Sequence, residues 1–268
     1  MTQLHEATMK ASELAAARNR ESGLLVVGHG TREPRGIDEF WVTCQAIADA
    51  DPALAIEGAF LEFAEPTIDR GVNALAARGV SRIVVMPLML FAAAHAKRDI
   101  PDAVMSAARK HPQLNVSFAK HLSCHPSIVA LSRQRFAEAL GGVAPGSVDE
   151  TVLVLVGRGS NDVEATAEMH QFARIRAGQR DAALVEVAFV SMASPSLTEA
   201  LSRAGDSGVR RIVVQPHLLF GGVLIDRVAE TVRDFAARYP CADWRVAGQL
   251  GPSELIVQTV RDRAPAVF

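Results

Sequence analysis

The 268 residues suffice for one large domain or for two of about 130 residues each, and a net charge of −2 argues against binding nucleic acid or an anionic membrane through bulk charge. Half the residues are apolar (49%) but only 5% are aromatic, so the core must come from Val, Ile, Leu and Ala, which suits buried parallel strands. Cys44, Cys124 and Cys241 stand far apart, without zinc-site or CxxC spacing, and their odd number argues against a disulfide scaffold and for a reducing cytoplasm.

Along the chain, residues 1–22 carry Glu6, Lys10, Glu13, Arg18, Arg20 and Glu21 and lack a continuous apolar core. They read as a helical extension, not a secretory signal. No apolar run reaches the roughly 18 residues of a membrane span. Strands are expected near 24–27, 55–61, 82–90 and, more weakly, 114–122, with helices near 36–50, 66–78, 98–110 and 126–140. Pro66, Pro101 and Pro126 are expected at first helical turns, where a missing N–H costs little. Gly141-Gly142-Val143-Ala144-Pro145-Gly146 reads as a linker. Strands then recur near 151–157, 184–191, 210–217 and 243–250, with Pro195 and Pro252 near helix starts.

The recurrence is an internal duplication. At an offset of 129 residues, Gly28-His29-Gly30-Thr31 falls on Gly157-Arg158-Gly159-Ser160, and Gly79 to Val85 falls on Gly208 to Val214. Pro66, Pro87 and Leu90-Phe91 fall on Pro195, Pro216 and Leu219-Phe220, all without a gap. The expected fold is α/β: two similar open parallel sheets related by a pseudo-twofold axis, with a ligand cleft between them. The expected organisation is an extension (1–22), a domain carrying the site (23–140), a linker (141–150) and a degenerate copy (151–268).

Three polar residues lie at or beyond carboxyl ends of strands, where open α/β sheets bind ligands. His29 sits between two glycines, Glu62 ends an apolar run, and His95 follows a small apolar stretch. Each alone also has a plainer reading, as an ordinary capping, strand-end or core residue. Taken together they converge, and the second copy replaces them with Arg158, Ser191 and Leu224. Two imidazoles and a carboxylate suit a divalent first-row metal and proton transfer near neutral pH. Arg32, Arg35, Lys97 and Arg158 are the candidates for meeting substrate carboxylates, against the plainer reading of a solvated face. His121 and His125 lie close to the expected site, and His217, where the first half has Leu88, sits in an expected strand that could face the cleft.

Gly28-His29-Gly30-Thr31-Arg32, Phe60 to Ile68, and Pro87 to Leu90 followed by His95 and Asp99-Ile100-Pro101 together resemble the sirohydrochlorin chelatases. The likeness is to the long, two-domain sirohydrochlorin cobaltochelatase type and covers nearly everything after residue 22. It implies insertion of a divalent metal into sirohydrochlorin in the cytoplasm, with cobalt leading to cobalamin and iron to siroheme, and the lack of a nucleotide motif adds the expectation of an ATP-independent reaction. By this resemblance His29, His95 and Glu62 are the metal-site and catalytic residues, and the metal is a substrate: Co2+, with Fe2+ and Ni2+ as alternatives. No organic cofactor, nucleic acid or membrane partner is implied, and both walls of the cleft coming from one chain is compatible with a working monomer, though a homodimer stays open. Thr31 stands where the family usually has serine, and Ala92-Ala93-Ala94 where it usually has glycine. Two rival readings remain. A histidine phosphatase or phosphomutase would have arginine immediately before the first histidine, where this chain has Gly28. A non-enzymatic metal or tetrapyrrole carrier could use the same pocket.

Overall fold

A computed structural model describes residues 21–91, 94–141 and 150–268, the side chains of Ala94 and His95 excepted. The extension up to residue 20 and most of the linker (142–149) lie outside the described residues, as do Ala92 and Ala93.

Strands and helices alternate throughout. The first half runs β1 (Ser22–Gly28), α1 (Pro34–Ala50), β2 (Ala55–Phe60), α2 (Ile68–Ala77), β3 (Arg82–Pro87), α3 (Ala94–Ala108), β4 (Asn115–Phe118) and α4 (Pro126–Leu140). The second runs β5 (Thr151–Gly157), α5 (Val163–Ala177), β6 (Leu184–Phe189), α6 (Leu197–Asp206), β7 (Arg211–Pro216), α7 (Val223–Arg238), β8 (Asp243–Val246) and α8 (Glu254–Arg263). Each half forms a four-stranded parallel sheet, ordered β2-β1-β3-β4 and β6-β5-β7-β8. The order reverses between β1 and β3, and again between β5 and β7. Crevices for ligands open at such points.

The central strands are buried on both faces, which is why they read as unbroken runs such as Leu24-Leu25-Val26-Val27. Their outward side chains form separate cores, one around Leu25, Val27 and Ile83, the other around Val152, Val154 and Ile212. Their inward side chains merge. Leu24, Val26 and Phe40 belong to one continuous apolar cluster with Leu153, Leu155 and Phe172.

The last helix of each half crosses over. Helix α4 packs on β7 and β8 of the second sheet, and α8 packs on α1 and α4. Polar contacts seal the exchange: Gln215 Nε2 donates to the Ser132 carbonyl at 2.9 Å, and Arg135 and Arg245 guanidiniums donate to the carbonyls of Leu250 and Leu140.

Several boundaries differ from the sequence reading. β3 stops at Pro87 instead of continuing to 90, because its partner β1 turns away after Gly28 and the ladder ends at Val27↔Pro87. β7 stops at Pro216 for the same reason, which places His217 just past the strand. β4 and β8 shrink to four residues each, where their pairing to β3 and β7 ends. Helix α3 starts at 94, not 98, so Pro101 lies inside it and not at its first turn. Pro66 and Pro195 precede their helices, and the caps are Thr67 and Ser196, whose hydroxyls accept from Arg70 and Glu199 N–H.

Candidate active site

The site begins where β1 runs out. The N–H groups of Leu61 and Glu62 donate to the carbonyls of Gly28 and His29 at 3.0 and 2.9 Å. The two post-strand loops therefore lie back to back. Gly30 permits this: its φ is +95°, and a Cβ there would come within 1.7 Å of the Glu62 carbonyl oxygen. The second half repeats the device, with Ser191 N–H on the Arg158 carbonyl at 3.0 Å and Gly159 at φ +89°. Thr31 Oγ1 accepts from Glu33 N–H at 3.1 Å, and Ser160 Oγ from Asp162 N–H at 3.0 Å. The duplication has thus kept the turn and changed the side chains mounted on it.

His29 and Glu62 are both half-buried. His29 lines a cleft of about 900 Å3 whose walls come from the loops after β1, β2 and β3 and from their second-half counterparts. Phe63, exposed and at φ +62°, lies near-parallel to the His29 ring, with centroids 6.3 Å apart. The Arg32 guanidinium lies 5.2 Å from the Phe63 ring centre. Met192, at φ +61° and also exposed, is the corresponding residue of the opposite wall. Phe63 and Met192 are not among the site candidates of the sequence reading. The signal available was that an apolar residue occupies both copies of a post-strand loop position.

His95 falls in the first turn of α3, but its side chain lies outside the described ones. Among the described residues no group of three or more His, Cys, Asp or Glu is placed to hold an ion.

The basic candidates divide. Arg32 and Arg158 are exposed residues of the cleft lining. Arg35 and Lys97 instead reach across to the second half. Arg35 pairs with Asp226, and Lys97 pairs with Glu164 and lies 3.8 Å from Asp162. The hydrogen bonds to Asp226 and Glu164 raise the pKa values of Arg35 and Lys97 above their usual ranges. His121 and His125 also serve the join between halves. His121 Nε2 meets Glu168 at 2.9 Å, whereas His125 caps α4 and lies 3.4 Å from Asp262 of α8.

His217 does line the cleft, although only 2% exposed. Burial, with a smaller contribution from the Arg176 charge, lowers its pKa to about 3.

This geometry defines a class: a duplicated open-sheet α/β protein with a cleft between its copies, lined by His29 from the first half and by Arg158 and His217 from the second. The sequence profile of the CbiX family matches residues 23–139 and again 152–267, and the chain belongs to that family, with two CbiX repeats. A sirohydrochlorin cobaltochelatase of Priestia megaterium is 29% identical over 241 residues, covering 90% of this chain and 78% of the relative. A sirohydrochlorin ferrochelatase of the same organism is 31% identical over 219 residues, covering 80% and 79%. The solved structure of SirB from Bacillus subtilis with Fe3+ superposes with a TM-score of 0.82 at 26% identity, covering 92% of this chain and 95% of that one.

Proposed function

We propose that the chain inserts a divalent metal into sirohydrochlorin. The observation that carries this is the asymmetry of the repeat: a cleft between two matched pairs of loops, with His29 in its lining and Glu62 on the adjoining loop of the first pair, and Arg158 and Ser191 at the same positions of the second. The family membership supplies the reaction class. Relatives named for cobalt and for iron support the two metals equally, so cobaltochelation toward cobalamin and ferrochelation toward siroheme both stand.

A free-base macrocycle carries two pyrrolic N–H protons, and an entering M2+ displaces both, giving the metallated ring and two H+. In this reading His29 and His95 hold the metal or accept a proton. Glu62, mounted against the His29 backbone, orients a histidine or takes the second proton. The ring lies against Phe63 and Met192. Arg32 and Arg158 meet its acidic arms, while Arg35 and Lys97 hold the walls together and reach substrate only by leaving Asp226 and Glu164. The reaction needs no nucleotide and no organic cofactor, and we place it in the cytoplasm. Among the described residues no helix is long and apolar enough to cross a membrane.

The test is direct. Protein, sirohydrochlorin and cobalt(II) or iron(II) are mixed, and the absorption spectrum is followed against a protein-free control. Accelerated metallation with either metal supports the reading, and competition between the metals ranks them. Binding without acceleration would identify a carrier instead.

A further inference from the structure

His217 occupies the position that the first half fills with Leu88. The backbones match: His217 N–H donates to the Val156 carbonyl at 2.8 Å, as Leu88 N–H does to Val27. Each residue is 2% exposed. The imidazole packs against two aromatic rings, with centroids 4.0 Å away at Phe172 and 5.4 Å away at Phe91. Neither ring nitrogen has a hydrogen-bond partner among the described residues. Burying an imidazole with both nitrogens unpaired is costly, and Leu88 demonstrates that this backbone site accepts a leucine. The residue also lines the cleft, beside the point where the strand order of the second sheet reverses, with both ring nitrogens buried. A buried polar group at the ligand crevice, left unsatisfied by its own protein, points to a ligand that satisfies it.

The ligand's chemistry follows from the ring's surroundings. The ring is packed against Phe172 and Phe91, and burial together with the nearby Arg176 charge keeps the imidazole neutral at pH 7, with one N–H donor and one bare nitrogen. It offers no charge to a carboxylate, and the acidic arms have Arg32 and Arg158, both exposed. The uncharged polar atoms of a flat macrocycle are its inner nitrogens. Resting on the metal-insertion reading, we infer that His217 is a substrate-binding residue whose bare ring nitrogen accepts a hydrogen bond from a pyrrolic N–H of the metal-free macrocycle. The metallated product has lost those protons and with them this bond. His217 therefore favours substrate over product.

Wild-type protein and His217→Leu are titrated with metal-free sirohydrochlorin and with its cobalt complex. The leucine variant should raise Kd for the free base about tenfold, change Kd for the cobalt complex less than about twofold, and keep or raise the Tm. An independent reading uses wild-type protein labelled with 15N-histidine. A His217 ring nitrogen should move when the free base is added and stay put with zinc(II) alone. Unchanged free-base affinity, an equal loss for both ligands, a larger loss for the metal complex, or a response to zinc alone would each overturn the inference. If wild type metallates sirohydrochlorin and the leucine variant binds the free base as tightly, only this inference fails. If wild type does not bind the macrocycle at all, the functional reading fails and takes this inference with it.

Discussion

The backbone N–H of Glu62 donates to the carbonyl of His29 at 2.9 Å. The backbones that carry a carboxylate and an imidazole at two different strand ends are thereby joined. The same bond joins Ser191 to Arg158, so both copies keep the device while the side chains mounted on it differ. Proximity that is built into the main chain needs no reorganisation during a reaction.

His29→Ala and His95→Ala should each reduce metal insertion by about 100-fold or more. Both positions follow strands and lie outside the strand ladders, so the Tm should fall little. Initial rates with the uncatalysed rate subtracted, alongside thermal melts, check this. Full insertion in either variant would remove that histidine from the mechanism.

Glu62→Gln keeps the shape and loses the charge. Turnover should drop while the affinity for the metal-free tetrapyrrole stays within about threefold of wild type. A turnover equal to wild type would reduce Glu62 to a structural role.

Gly30→Ala tests the turn itself. Alanine must take φ near +95° and place a methyl 1.7 Å from the Glu62 oxygen, so the two loops must part. Urea unfolding should show a loss of about 1–3 kcal/mol, and insertion should fall with it. Wild-type activity in this variant would mean that the spacing of His29 and Glu62 is not critical.

Arg158→Ala should raise the Michaelis constant for the tetrapyrrole more than it lowers turnover, because Arg158 belongs to the wall without His29 and Glu62. Titration should saturate at one macrocycle per chain. Saturation at two would show a second functional site in the degenerate half.

Burial pushes the Cys44 thiol pKa up to about 12, while Cys241 is exposed. Since the thiolate is the reactive form, alkylation of folded protein at pH 8 should label Cys241 and spare Cys44. Rapid labelling of Cys44, read by peptide mass, would contradict the packing of α1.

The order of elements was legible because each strand core is an unbroken apolar run and glycine or proline punctuates its ends. The loops carrying His29 and Glu62 were legible because the duplication offered an internal comparison. The ends of β3 and β7 were not, since they depend on where the neighbouring strand turns away. Arg35 and Lys97 read as free cations in sequence, and their carboxylates, Asp226 and Glu164, are 191 and 67 residues away along the chain. Local pattern carries no information about such partners. The helix exchange between halves left no trace in sequence for the same reason.

That exchange has a consequence for synthesis on the ribosome. Ile256, Val257 and Val260 of α8 belong to the same apolar cluster as Leu24, Val26 and Phe40, so the shared core is incomplete until residues near 260 have emerged. A nascent chain paused at the linker presents an unfinished apolar face and a helix, α4, whose docking strands β7 and β8 do not yet exist. The duplicated halves resemble separable modules in sequence, yet they should mature together in one late, cooperative step.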